Sequence, residues 1–198
     1  MAKNQTFNKY KELFLEKNHV LNLISKNDEK FLEEKHIFDS LAIKMFFDKY
    51  KFMPKTMLDI GTGGGFPALP IAIEYPNIQV MGIDSIQKKI RAISEIATDL
   101  KLKNFQTICD RVENIKDKKF DLITSRAVAK LELIVQYAMP LLKKNGYLVV
   151  YKSKTAQEEI KQAETVLKKF KAKVIDVIEY KLPLEEVFER NLVVIKYV

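Results

Sequence analysis

The segment Met57-Leu58-Asp59-Ile60-Gly61-Thr62-Gly63-Gly64-Gly65-Phe66-Pro67 places an acidic residue, then four glycines within five positions, between an apolar strand pattern and a helical one. Glycine has no Cβ and tolerates positive φ, so such a turn is tight and lets a ligand lie against its backbone. Strand, glycine-rich turn and helix in that order make a binding site at the carboxyl edge of a parallel sheet. The residues after the glycines choose among ligands. A phosphate loop requires a Lys-Ser/Thr pair, and Phe66-Pro67 stands there instead. A dinucleotide turn has its third glycine where this chain has Phe66. A bulky apolar residue suits a ligand without pyrophosphate, and S-adenosylmethionine fits, with its cationic amino-acid tail, ribose and adenine. A purely structural turn is the competing reading, although four glycines exceed what a plain turn needs.

Other residues stand where chemistry is possible. Asp84 closes the second strand pattern, where a carboxylate accepts ribose hydroxyls; the alternative is an N-cap for the next helix, a role Ser85 also fits. Val112 and Glu113 follow the third strand and offer an adenine an apolar slot and an acceptor, unless Glu113 is an ordinary loop acid. Arg126 follows the fourth strand and is set to meet the ligand's carboxylate, an RNA phosphate or a neighbouring acid. His36, Asp39 and Ser40, at i, i+3 and i+4, form one polar patch that either ties the N-terminal helices to the core or touches RNA. Lys152, at the end of the fifth strand, and Lys154 are candidate phosphate contacts. Cys109 is expected to end a buried strand as an inert thiol. With one cysteine and two histidines, no metal cluster is expected.

These groups need a scaffold that gathers them. Phe7, Tyr10, Leu13 and Phe14 predict a helix from Gln5 to Lys17, and Ile37, Leu41 and Met45 a second one. Strands are expected at Thr56–Ile60, Ile78–Ile83, Phe105–Cys109, Phe120–Thr124 and Tyr147–Lys152. Helices between them run over Phe66–Glu74, from Ile86 to Leu100, and over Leu131–Lys143. A capping box of Thr155 with Glu158 opens another helix. The last two strands, Lys173–Tyr180 and Arg190–Tyr197, lack a helix between them and must pair antiparallel. The fold expected is α/β: a doubly wound, Rossmann-like, seven-stranded and mostly parallel sheet with an antiparallel last strand and an N-terminal helical extension. Pro54 divides the extension, residues 1–53, from the sheet domain, residues 54–198, in one compact unit. Right-handed crossovers bring the carboxyl ends of the first four strands together, and Gly61, Gly63, Asp84, Val112, Glu113 and Arg126 all fall there.

Composition sets the frame. The chain has 198 residues, 47% hydrophobic and 30% charged, which suits one well-buried core. No apolar run spans a bilayer and the N-terminus does not read as a signal peptide, so a cytoplasmic protein is expected. The net charge of +8 makes nucleic acid the partner to test, against the plain alternative of general lysine enrichment. Nothing points beyond a monomer.

The chain resembles the glucose-inhibited division protein B family, the bacterial small-subunit rRNA guanine-N7 methyltransferases, over nearly its full length. The resemblance rests on the glycine segment through Phe66-Pro67, Lys35-His36-Ile37-Phe38-Asp39-Ser40-Leu41, Asp84-Ser85, Arg111-Val112-Glu113, Ser125-Arg126-Ala127 and Arg190-Asn191-Leu192-Val193-Val194. Departures are Lys35 for an arginine, Ala68 for a glycine and Asn191 for a histidine. The resemblance implies cofactor contacts at Gly61, Phe66, Val112, Glu113 and Arg126. It also implies methyl transfer from S-adenosylmethionine to guanine N7 in the decoding-region loop of small-subunit rRNA, free or within the 30S particle. Guanine N7 has a lone pair and no proton, so no general base, and no catalytic Cys or His near the site, is expected. The alternatives are methylation of another RNA, a protein or a small molecule, and a non-catalytic RNA-binding role.

Overall fold

All of Met57–Ile60 is buried, as a strand must be when helices cover both faces of its sheet. Alternation survives as a choice of face: Met57 joins the core on one side, Leu58 and Ile60 the core on the other. The computed structural model describes residues 3–198. Its strands are β1 (Thr56–Ile60), β2 (Gln79–Asp84), β3 (Phe105–Cys109), β4 (Phe120–Arg126), β5 (Leu142–Lys152), β6 (Ala172–Lys181) and β7 (Glu189–Tyr197). They form one sheet in the order β3-β2-β1-β4-β5-β7-β6. The first five pair parallel, and β7 runs antiparallel between β5 and β6. The strand order reverses between β1 and β4, so their carboxyl ends flank the switch-point crevice.

One face carries α1 (Lys3–Leu21), α2 (Ile43–Tyr50), α3 (Ala68–Glu74) and α4 (Gln87–Asp99). The other carries α5 (Leu131–Ala138), α6 (Ala156–Gln162) and α7 (Glu164–Lys169). In α4, Ile90, Ile93, Ile96 and Ala97 are buried, the helical stripe expected of an amphipathic crossover. The extension folds back over the glycine turn. Tyr10 and Phe14 of α1, one turn apart and fully buried, meet the ring of Phe66 at 6.4 and 5.0 Å between centroids. Between α1 and α2 the chain passes through a π-helical segment, Leu32–Phe38, that leads into Asp39–Leu41. π-Helical turns are uncommon and recur at functional sites.

The structure departs from the sequence expectations at several points. Met45 is exposed, and α2 instead buries Ile43, Phe46 and Phe47. The helix expected over Leu131–Lys143 ends at Ala138, because Pro140 cannot continue it and β5 begins at Leu142. The Thr155–Glu158 capping box does not form: Thr155 has ψ 7, outside the extended region a capping residue needs. Cys109 is exposed at the end of β3, the outermost strand on its side of the sheet.

Candidate active site

Two adjoining clefts open at the carboxyl ends of β1, β2 and β4. The first, about 350 Å³, is lined by Ile60, Gly61, Asp84, Val112, Glu113 and Tyr137, among others. The second, about 410 Å³, is lined by His36, Gly63, Phe66, Lys89 and Arg126, among others. Gly61, Asp84 and Val128 border both. Val128 lies so close over the turn that a Cβ on Gly61 would sit 2.3 Å from its Cγ2, and Gly61 has φ +67. Gly63, at φ +53, has only the carbonyl of Gly61 within 4 Å of such a Cβ, at 3.8 Å, so that side of the turn is open.

Asp84 holds the turn in place. Its Oδ2 accepts from the Gly63 N–H at 2.9 Å, and its Oδ1 from the Ile86 N–H at 2.9 Å. The helix that follows has Ile86 as its N-cap and no side-chain cap, so Asp84 does not cap it; the carboxylate anchors the turn while it borders the ligand cleft. Each oxygen keeps a further lone pair. The turn closes on itself through Gly65 N–H and Phe66 N–H, both donated to the Thr62 carbonyl, at 2.8 and 3.1 Å.

Asp59 lies beneath the turn, fully buried in β1. Its Oδ1 accepts from the Thr124 hydroxyl at 2.8 Å, while Oδ2 and the Thr62 hydroxyl oxygen find no well-aligned partner among the described residues. Burial pushes this carboxyl up to about 7, with the Thr124 hydroxyl holding it down. The native protein thus keeps a proton that the unfolded chain, titrating near 3.8, has lost. Stability from this group falls as pH rises between those two values and levels above the higher one. The expected loss is on the order of 4 kcal/mol at most across that window. Asp59→Asn is expected to remove that slope. Urea denaturation of both proteins between about pH 4 and 8 checks it, and parallel profiles count against a protonated Asp59.

Arg126, from the end of β4, points into the extension. Its Nη1 donates to Asp39 Oδ2 at 2.9 Å and to the Lys35 carbonyl at 3.3 Å, and its Nη2 lies 3.0 Å from His36 Nδ1. The guanidinium sits over the Phe66 ring at 5.1 Å. Asp39, 1% exposed, also accepts from Arg190 Nε and Nη2 at 3.0 and 2.9 Å and from the Tyr180 hydroxyl at 2.6 Å. Burial alone would push the Asp39 carboxyl up, but Arg126 and Arg190 hold it below the usual carboxylate range. Burial first, then Arg126, pushes the His36 imidazole down to about 4, so the ring is neutral at pH 7.

The structure brings Gly61, Asp84, Val112 and Glu113 to one cleft and Gly63, Phe66, Arg126 and His36 to the other. His36 does not stand on an outer phosphate-facing surface: its ring packs 4.9 Å from that of Phe66. Lys152 differs more sharply. Its ammonium is 2.8 Å from the Ala129 carbonyl and 2.6 Å from Glu159 Oε2, with the side chain 10% exposed, so it braces the loop after β4 from below. A lysine so engaged is no free phosphate contact. Val128, set between the clefts by that loop, carried no signal in the sequence. Among the described residues no cluster of His, Cys, Asp or Glu is placed to hold a metal.

A parallel sheet with a reversed penultimate-position strand, a glycine turn after β1 and an acid after β2 defines the Rossmann-like methyltransferase class. The solved structures agree on the fold: an S-adenosylmethionine-dependent methyltransferase from Clostridium acetobutylicum matches with TM-score 0.65 over 86% of this chain and 95% of that one, at 13% identity. A ribosomal protein L11 methylase from Lactobacillus delbrueckii subsp. bulgaricus matches with TM-score 0.61 over 80% and 79%, at 18% identity. The family model for rRNA small subunit methyltransferase G matches residues 3–193. Ribosomal RNA small subunit methyltransferase G of Bacillus licheniformis is 37% identical over 197 residues, 97% of this chain and 81% of that protein. That of Listeria monocytogenes is 37% identical over 194 residues, 96% and 80%. The chain belongs to the rRNA small subunit methyltransferase G family, and it is an enzyme of the methyltransferase class.

Proposed function

We propose that this chain transfers a methyl group from S-adenosylmethionine to N7 of a guanine in the decoding-region loop of small-subunit rRNA, acting as a cytoplasmic monomer on that RNA or on the 30S particle. The observation that carries the reading is the meeting of Gly61, Asp84, Val112 and Glu113 along one cleft in a chain of this family. The residues present fit the donor. Asp84 presents two carboxylate oxygens to a ribose diol, Val112 and Ile60 give an adenine apolar walls, and Glu113 supplies an acceptor at the rim. The open face at Gly63 leaves room for a tail to pass the turn.

When bound, S-adenosylmethionine supplies an electrophilic methyl group on a sulfonium. The chain's own contribution is alignment. Guanine N7 has no proton to remove, so no side chain has to act as a base. Holding two reactants in line gives effective concentrations of roughly 10⁵ M or more. A rigid carboxyl edge supports that alignment: Asp84 pins the turn, and Lys152 with Glu159 fixes the loop carrying Val128. The end of β4 and the residue after it read Thr124-Ser125-Arg126-Ala127, without the Asn/Asp-Pro-Pro-aromatic run typical of exocyclic-amine methylation.

The purified protein with labelled donor is expected to place one methyl per small-subunit rRNA on guanine N7, located by borohydride and aniline cleavage. Label elsewhere in the RNA, or only on protein or small molecules, would replace this substrate. In cells lacking the protein, that cleavage site is expected to vanish.

A further inference from the structure

The tautomer of His36 is fixed by its partner. A guanidinium is always protonated and only donates, so Arg126 forces His36 Nδ1 to accept and leaves the ring proton on Nε2. Nε2 is buried, and no acceptor meets it among the described residues. A buried N–H without a partner is costly and rare, which points to an acceptor that arrives with a ligand. The surrounding charge says what kind. One carboxylate, Asp39, stands between two guanidiniums, Arg126 and Arg190, leaving one positive charge in excess. Lys35, the other cation beside this histidine, is matched by Asp28 at 2.8 Å. An anion balances that excess; a neutral base edge does not.

Topology says which anion. The cavity that His36 lines adjoins the nucleoside cleft across Gly61 and Asp84 and runs past Gly63 to Phe66 and Arg126. A ligand whose ribose sits at Asp84 and whose tail passes the open side of the turn at Gly63 ends its tail there. Resting on the function proposed above, we infer that His36 donates through Nε2–H to the carboxylate of the amino-acid tail of S-adenosylmethionine. The π-helical segment of the extension thereby supplies part of the cofactor site, with His36 as a positioning residue. Binding then adds a contact between the extension and the cofactor to the ion pairs that already dock the extension on the sheet.

The probes are S-adenosylhomocysteine, which keeps the tail carboxylate, and 5′-methylthioadenosine, which keeps the nucleoside and lacks it. His36→Phe is expected to weaken S-adenosylhomocysteine binding in calorimetry by roughly ten- to a hundredfold, as for a hydrogen bond to a charged group, and to leave 5′-methylthioadenosine within a few fold. His36→Gln, whose amide N–H reaches a similar point, is expected to restore most of the difference. Equal losses for both probes, or no loss for either, overturn the assignment. A thermal melt checks that the variants fold. If they do not, the unmodified protein decides the matter, since it has only two histidines to assign by NMR. The His36 imidazole is expected to titrate at higher pH with S-adenosylhomocysteine bound, because a carboxylate stabilises its cation, and not with 5′-methylthioadenosine. Identical titration with both removes the contact. Failure of the unmodified protein to bind either probe refutes instead the methyltransferase reading beneath it.

Discussion

Asp39→Asn is expected to destabilise the protein by about 3–5 kcal/mol, the range for breaking a buried ion pair from one side. The carboxylate is 1% exposed and accepts from Arg126, Arg190 and Tyr180. An amide of the same shape keeps one acceptor but faces two guanidiniums without a charge. These partners belong to β4, β6 and β7, while Asp39 belongs to the extension, so the loss falls on the docking of one onto the other. Because the folded-state pKa is depressed, the stabilisation is fully present above the unfolded value of 3.8 and is lost as pH falls through the lower folded value. The gap between the two proteins in urea denaturation should therefore be full at neutral pH and close only in acid. A gap under about 1 kcal/mol at neutral pH would mean that desolvation of the three charges cancels their attraction, the known alternative for buried ion pairs.

That cluster also marks where sequence reading runs out. The strands that build the crevice were legible because each is a short apolar run bounded by turn residues, and the final hairpin because nothing helical separates its two strands. The glycine turn and Asp84 were legible because the residue types are few that suit a tight turn and a strand-end acceptor. The partner of Arg126 was not. It lies 87 residues away, and local periodicity carries no information about contacts at that range. The same holds for His36: its spacing with Asp39 and Ser40 leaves a tie to the core and an RNA contact both open, and the structure realises the tie, with Arg126 Nη2 3.0 Å from His36 Nδ1. The π-helical turn over Leu32–Phe38 shifts which side chains face inward, and nothing in the residue types announces it. Lys152 escapes sequence reading for a different reason. Lysine is usually solvated, and only the fold reveals that Glu159 and a carbonyl await it. Its place after the glycines marks Phe66 as shaping the ligand site; the structure adds a second task, since its ring is also the surface on which α1 docks.

Asp84→Ala is expected to weaken S-adenosylhomocysteine binding by roughly a hundredfold or more, the product of two hydrogen bonds to a charged acceptor. The variant also frees the Gly63 and Ile86 N–H groups that the carboxylate now holds at 2.9 Å each, so the turn loses its anchor together with the ribose. These two losses separate by substitution. Asp84→Asn keeps an oxygen for one backbone N–H but offers the ribose a weaker, uncharged acceptor, so its thermal stability should stay close to that of the parent while affinity drops. The two ends of the ligand separate as well. Since 5′-methylthioadenosine carries the same ribose, Asp84→Ala should weaken it as much as S-adenosylhomocysteine, the opposite of the pattern expected at His36. Retained affinity for both ligands in a folded Asp84→Ala protein would place the nucleoside outside this cleft, and the alignment of Gly61, Val112 and Glu113 would then need another explanation.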